Sequence, residues 1–115
     1  MKIGATKKMK RFPDSKVKML QFPVLSEDCN ISHFVTTRQG GVSEGAYASF
    51  NTGEYSGDDP EAVQTNRRLL SEAIGIPFER IFAPFQVHGT MIRPVDPVFL
   101  SLPLDEQRSY LYGVD

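Results

Sequence analysis

The stretch of the sequence best suited to chemistry is 83–90, Ala-Pro-Phe-Gln-Val-His-Gly-Thr, which holds one of the two histidines of the chain. His88 ends an apolar run typical of a β-strand, and Gly89 allows a sharp turn or the close approach of a ligand. An imidazole placed there can bind a metal ion or move a proton near neutral pH. For this stretch alone, a structural histidine at the end of a hairpin is the simpler interpretation.

A second polar stretch, 36–43, reads Thr-Thr-Arg-Gln-Gly-Gly-Val-Ser. Arg38 offers a planar fork of donors that matches phosphate or carboxylate. The two glycines after it could turn successive backbone N–H groups into one anion-binding concavity. The pattern is neither a Walker loop nor a dinucleotide fingerprint, and an ordinary tight turn with a surface arginine is the alternative. Asn51, in the polar stretch 49–53, either contacts a ligand or fixes a turn.

Composition bounds the class of protein. The chain of 115 residues is long enough for one domain, and its apolar content of 40% is that of a globular protein. No apolar run approaches the ~20 residues that cross a bilayer, and the N-terminus has no secretory signal. Cys29 is the only cysteine, which excludes an intrachain disulfide and is typical of a reducing compartment. The sequence therefore predicts a cytoplasmic protein.

Charge divides the chain at residue 18. Residues 1–18 carry seven basic side chains and one acidic, a net charge of +6, so the remainder carries −7. We expect a basic, flexible leader at 1–18 that is dispensable for folding, joined to a domain at 19–115. The leader lacks interleaved aromatic residues and amphipathic spacing, so neither a nucleic acid nor a membrane is an expected partner.

Strands are predicted at 19–22, 31–38, 81–87, 91–95 and 98–102, with a hairpin that turns near His88. Cys29 and His33 lie four residues apart, which in a strand is ~13 Å and too far for one metal ion. A helix is predicted after Asp59, its N-cap, and before Gly75, its C-terminal stop. The apolar stripe of this helix is interrupted by Asn66. A further helical turn is predicted at 105–110.

Four motifs in order resemble the laccase-domain family over residues 31–115. They are His-Phe-Val-Thr-Thr-Arg-x-Gly-Gly-Val-Ser at 33–43, Ser-Phe-Asn-x-Gly at 49–53, Gly-Asp-Asp-Pro-Glu-x-Val-x-x-Asn-Arg-Arg at 57–68 and Gln-Val-His-Gly at 86–89. The family was first named polyphenol oxidoreductase. Its members are now regarded as zinc-dependent purine nucleoside phosphorylases with adenosine deaminase activity.

The resemblance implies an α/β fold with a mixed sheet and flanking helices, of which this chain is the N-terminal half. It implies that His88 is a zinc ligand and catalytic, while the other two ligands belong to family motifs that follow the Gly-Val-Asp at which this sequence ends. Arg38, Asn51 and Gln86 are the expected substrate-binding residues, with a purine nucleoside and phosphate as substrates. The missing C-terminal half is the expected protein partner.

Two other functions are weighed against this one. The chain could be a non-enzymatic remnant or interaction module, or, as the older family label suggests, a copper-dependent phenol oxidase. Several His and Cys ligands per copper cluster are needed for the latter, and the chain has two His and one Cys. We expect the chain alone to bind zinc weakly and turn over no nucleoside. Because Arg38 and His88 both end predicted strands, we also expect them to share one pocket.

Overall fold

The computed structural model of the chain describes residues 10–11 and 17–115. The rest of the predicted leader, 1–9 and 12–16, lies outside the described residues, so the boundary at residue 18 stays a prediction. The chain divides into two compact units, one ending at Phe78 and the other comprising Glu79–Asp115. Each unit has its own buried apolar residues: Val17, Met19, Phe50, Val63 and Leu70 in the first, and Phe99, Leu111 and Val114 in the second.

The first unit contains a small antiparallel sheet. Its strands are β1 (Lys10–Arg11), β2 (Met19–Gln21) and β3 (Val35–Thr36), in the order β1-β2-β3. In the register, Lys10 pairs with Gln21 and Met19 pairs with Thr36. The sequence placed β2 correctly and predicted a strand at the position of β3.

The predicted strand 31–38 is reduced to β3, and side chains take part in the hydrogen bonds beyond both of its ends. His33 Nε2 accepts a hydrogen bond from Phe22 N at 2.8 Å, and Gln21 Nε2 donates to the carbonyl of His33 at 3.2 Å. At the other end, the backbone N–H and hydroxyl of Thr37 both donate to the carbonyl of Lys18, at 3.0 and 2.7 Å. These bonds satisfy the backbone where a regular ladder would otherwise continue.

Helix α1 (Pro60–Ile74) forms where the sequence predicts it. Pro60 occupies the first position, and the carboxylate of Asp59 accepts a hydrogen bond from Glu61 N at 3.2 Å. Gly75 ends the helix in the left-handed conformation, with φ of 70°, and its N–H donates to Ser71 O at 2.9 Å. The face that the helix buries carries Val63, Asn66, Arg67 and Leu70.

The predicted hairpin of 81–87 with 91–95 is wrong. Phe85 instead forms a parallel bridge with Tyr112, and Met91 forms one with Val114. Pro84 and Pro94 have no N–H to donate, so a ladder between the two predicted strands would lack hydrogen bonds at these positions. The segment around 112–114 pairs with Phe85 and Met91 instead.

The predicted strand 98–102 is also wrong, because these residues begin with helix α2 (Pro97–Leu100). Asp96 caps this helix by accepting a hydrogen bond from Phe99 N at 2.9 Å, and Pro97 occupies its first position. The same signals that predicted α1 were present here and outweigh the β-propensity of the segment. Helix α3 (Leu104–Leu111) confirms the helical turn predicted at 105–110.

The predicted α/β class is confirmed, since the chain combines helices with a sheet. The named strands pair antiparallel, whereas the isolated bridges of the second unit are parallel. Within residues 10–11 and 17–115, none of the helices has the length and apolarity needed to cross a bilayer.

The end of the predicted leader is packed, so for residues 17–18 we expect a contribution to folding instead of dispensability. Val17 is only 1% exposed, and the carbonyl of Lys18 accepts two bonds from Thr37. A truncation that begins at residue 19 should lower the thermal midpoint by about 5 °C or more, since burying a valine side chain contributes about 1.5 kcal/mol. As the control, a truncation that begins at residue 10 keeps every contact the structure describes and should leave the midpoint nearly unchanged. Equal midpoints for both truncations would show that the packing of Val17 contributes nothing.

Candidate functional site

Arg38 lies beside a surface depression of about 450 Å³ in the first unit. Its Nε donates to the carbonyl of Ala48 at 3.0 Å, which fixes the side chain close to its outer end. Its two terminal nitrogens make no hydrogen bond within the part of the chain that the structure describes. The residues that line the depression are Arg38, Ala46, Tyr47, Ala48, Phe50 and Asn51. Arg38 therefore presents donors to an open concavity, as phosphate or carboxylate binding requires.

Asn51 lines the same depression, but its amide is engaged within the protein. Its Nδ2 donates to Ser56 Oγ at 2.8 Å and to Asp58 Oδ2 at 3.2 Å, while its Oδ1 accepts from Gly53 N at 3.0 Å. Of the two roles that the sequence left open, this geometry favours the fixing of a turn. Contact between Asn51 and a substrate stays a prediction.

The anion-binding concavity considered for the Gly-Gly turn is not formed by residues 41–43. Gly41 N donates to Ser49 Oγ at 3.3 Å, Val42 N to Asn66 Oδ1 at 2.8 Å and Ser43 N to Ser49 O at 2.9 Å. These backbone donors are already used inside the protein, so they are not available to an anion. The Gly-Gly turn instead anchors the loop that carries Arg38.

Asn66 holds this loop in place, a role that the sequence reading missed. The residue is fully buried on α1. Its Nδ2 lies 2.9 Å from Ser43 Oγ, 3.3 Å from Ser49 O and 2.8 Å from Asn51 O, and its Oδ1 accepts from Val42 N. The signal was visible in the sequence, because a buried polar side chain that interrupts an apolar stripe must find hydrogen-bond partners.

Asp58 extends the network to the surface of the unit. Ser43 Oγ donates to Asp58 Oδ2 at 2.5 Å, and the backbone N–H of Asp59 donates to Asp58 Oδ1 at 2.7 Å. The hydrogen bond from Ser43 is the main cause that lowers the pKa of Asp58 below 3.8. The bonds from Asn51 and Asp59 add to it, and partial burial opposes them.

A lowered pKa makes stability depend on acid. The stabilisation from ionised Asp58 is complete above its ordinary pKa of 3.8 and is lost as the pH falls through the lowered folded-state value. We expect Ser43→Ala to move the pKa of Asp58 upward and to weaken this dependence below pH 4, as measured by carboxyl NMR titration and denaturant midpoints. Asp28→Asn, a change outside the network, is the control. An Asp58 titration curve identical in Ser43→Ala and the wild type would refute the assignment.

His88 and Gln86 are exposed on a loop of the second unit. His88 has a φ of 60°, in the left-handed region that residues other than glycine seldom adopt. The N–H groups on either side of it, those of Val87 and Gly89, donate to the Asp115 carboxylate at 2.8 and 2.6 Å. The imidazole is therefore presented on a constrained loop.

The second histidine, His33, has a structural position. Its Nε2 already accepts a hydrogen bond from Phe22 N, and its ring stacks on that of Phe22 with centroids 6.5 Å apart. Among the residues the structure describes, no group of three or more His, Cys, Asp or Glu side chains could hold a metal ion. A catalytic zinc takes three protein ligands and an open position. The described donors do not form such a site by themselves, and the role of His88 as a zinc ligand stays a prediction.

Arg38 belongs to the first unit and His88 to the second. Their predicted convergence on one pocket stays a prediction.

The comparisons with known proteins give one family and several relatives whose names differ from the description of that family. The profile of the family described as "Multi-copper polyphenol oxidoreductase laccase" matches residues 32–110. A purine nucleoside phosphorylase from Bacteroides thetaiotaomicron is 46% identical over 98 residues, which is 85% of this chain and 36% of that protein. One from Haemophilus influenzae is 51% identical over 63 residues, 55% of this chain and 25% of that protein.

A protein named adenosine deaminase RL5, from an unknown prokaryotic organism, is 33% identical over 85 residues, 74% of this chain and 32% of that protein. The match thus covers between a quarter and about a third of the length of these relatives, rather than half. The family profile covers most of the chain and includes the stretches that carry Arg38, Asn51 and His88. This chain belongs to the multi-copper polyphenol oxidoreductase laccase family.

Proposed function

We propose that this chain supplies the N-terminal part of a zinc-dependent purine nucleoside phosphorylase. The observation that carries the proposal is the position of Arg38 at the edge of an open depression. Within the described residues, its terminal nitrogens make no hydrogen bond. The names of the relatives, purine nucleoside phosphorylase and adenosine deaminase, support the same class of substrate. Adenosine deamination is proposed as a second activity.

Phosphorolysis joins a phosphate oxygen to C1′ of the ribose while the bond from C1′ to the purine nitrogen breaks. Arg38 would hold the phosphate through its two terminal N–H groups and offset its negative charge. The bond from Arg38 Nε to Ala48 restricts the guanidinium before substrate arrives, which lowers the entropy cost of binding. Gln86 is proposed to contact the nucleoside from the loop of His88.

His88 is proposed as one ligand of the zinc ion. The described residues do not complete a zinc site, so the remaining ligands must come from outside them. For this reason the 115-residue chain alone should bind zinc weakly and be inactive.

The second unit is the proposed contact surface for the rest of the enzyme. Its most exposed large apolar side chains are Ile92, Val98 and Leu104, at 88, 71 and 67%. Apolar side chains exposed to this degree are consistent with a surface that another polypeptide covers. The same observation favours the alternative, a non-enzymatic interaction module, which would bind its partner without turnover. We propose the cytoplasm as the compartment, consistent with one free and exposed cysteine, Cys29.

Copper-dependent phenol oxidation is the less favoured function. Of the three His and Cys side chains in the chain, His33 is committed to Phe22 N through Nε2. A copper cluster needs several such ligands per site.

The test is a chimaeric protein in which this chain replaces the matching stretch of the B. thetaiotaomicron phosphorylase. We expect phosphate-dependent release of the base from inosine and adenosine, and a KM for phosphate raised about tenfold in Arg38→Ala. Arg80→Ala, at an exposed arginine, is the matched control. A folded chimaera that binds zinc but releases no base would favour the interaction module. Oxidation of a phenol with copper, without phosphorolysis, would favour the oxidase.

A further inference from the structure

The loop that carries His88 is closed by two parallel bridges. Phe85 pairs with Tyr112 and Met91 pairs with Val114. The second bridge lies six residues after the first along one segment but only two residues after it along the other. The surplus residues bulge outward between the bridges. Gly113 N donates to Phe85 O at 2.8 Å and Asp115 N donates to Met91 O at 3.3 Å, which ties down both ends of the bulge.

The carboxylate of Asp115 lies at the base of this bulge. Its Oδ1 accepts from Val87 N at 2.8 Å and its Oδ2 accepts from Gly89 N at 2.6 Å. The two bonds bracket His88, whose φ of 60° is unfavourable for a residue with a side chain. Such a conformation persists only where the surrounding structure stabilises it. The bonds from Val87 N and Gly89 N to Asp115 provide that stabilisation.

The segment that precedes Asp115 is packed. Leu111 and Val114, close to it in the chain, are each 8% exposed. The rings of Phe85 and Tyr112 stack with centroids 4.9 Å apart and planes 3° from parallel. A carboxylate on a fixed segment can transmit that order to a loop, because hydrogen bonds to a charged acceptor are stronger than neutral ones.

We propose that Asp115 is the positioning residue for His88: its carboxylate clamps the backbone on both sides of the histidine and so fixes where the imidazole points. The clamp itself does not depend on the proposed function. Only the use of the fixed imidazole as a zinc ligand rests on it. Groups that orient a metal ligand, without touching the metal, commonly raise metal affinity.

The first measurement is amide exchange by NMR in the chain. In Asp115→Ala, the amides of Val87 and Gly89 should lose protection, and the coupling constant that reports φ should show His88 leaving the left-handed region. Asp115→Asn keeps one acceptor oxygen and should be intermediate. Asp105→Ala, at an exposed carboxylate on α3, is the matched control and should change neither amide. Unchanged protection of both amides in Asp115→Ala would overturn the clamp.

The second measurement is zinc titration of the chimaeric phosphorylase, which supplies the remaining ligands, followed at the imidazole signals of His88 and His33. Zinc affinity at His88 should fall about tenfold in Asp115→Ala and be partly restored in Asp115→Asn, while His33 responds equally in all variants. Released amides with unchanged zinc affinity at His88 would overturn the positioning role. A wild-type His88 that ignores zinc would instead refute its proposed ligand role, and amide exchange would still decide whether Asp115 holds the loop.

Discussion

Gly41→Ala should strongly destabilise the first unit. A Cβ at Gly41 would lie 2.2 Å from Ser49 O, 2.5 Å from Phe50 Cα and 2.6 Å from Asn66 Oδ1. Two of these atoms are backbone, and the third is locked by its bond to Val42 N. None of these atoms can move away without distorting the backbone or breaking that bond. We therefore expect the free energy of unfolding to fall by about 3 kcal/mol and the thermal midpoint to fall by about 10 °C or more.

Gly45→Ala is the control for Gly41→Ala within the same loop. Gly45 has a φ of 62° but no heavy atom within 4 Å of the added Cβ, so its substitution carries backbone strain without a collision. That strain should cost about 1 kcal/mol. If the two variants melt at the same temperature, close packing around Gly41 is not what requires glycine there.

Asn66→Leu should have the second largest effect. Leucine has the same branched arrangement of side-chain heavy atoms, although it is larger. It leaves Val42 N–H without an acceptor and removes the donors that reach Ser43 Oγ and Asn51 O. An unsatisfied buried polar group costs about 1–3 kcal/mol, and several are created together, so we expect a loss of about 3 kcal/mol in chemical denaturation.

Gln64→Leu adds the same side chain to an exposed position of α1 and should cost little. Because Asn66 bonds to the loop of Arg38, Asn66→Leu should also broaden the NMR signals of residues 38–51 before global unfolding. Equal denaturation midpoints for Asn66→Leu and Gln64→Leu would mean that the network around Asn66 does not stabilise the unit.

Local signals predicted the elements that local physics controls. Helix α1 has a cap, a first-turn proline and a terminal glycine within its own sequence, and it forms as predicted. Asn66 was noticed only as an interruption of the stripe, although its burial and its partners follow from the same pattern. For α2, the cap at Asp96 and the proline after it are as informative as those of α1, but the apolar residues that follow favour a strand.

Long-range pairing explains what the sequence could not show. Phe85 pairs with Tyr112, and Asp115 binds the N–H groups beside His88 across more than 25 positions of the chain. No periodicity within 81–95 indicates these partners, so a local hairpin was the natural but incorrect prediction. In the same way, the motif around His88 identified a candidate ligand but not the carboxylate that holds it.

The zinc content of the chimaeric phosphorylase tests the central claim, that His88 is a zinc ligand. The purified chimaera should retain close to one zinc per polypeptide, and so should Arg38→Ala and the His33→Ala control, whereas His88→Ala should lose most of its zinc and all phosphorolysis. Zinc retained at the parental level in a folded, inactive His88→Ala variant would contradict the account, as would phosphorolysis that survives the substitution.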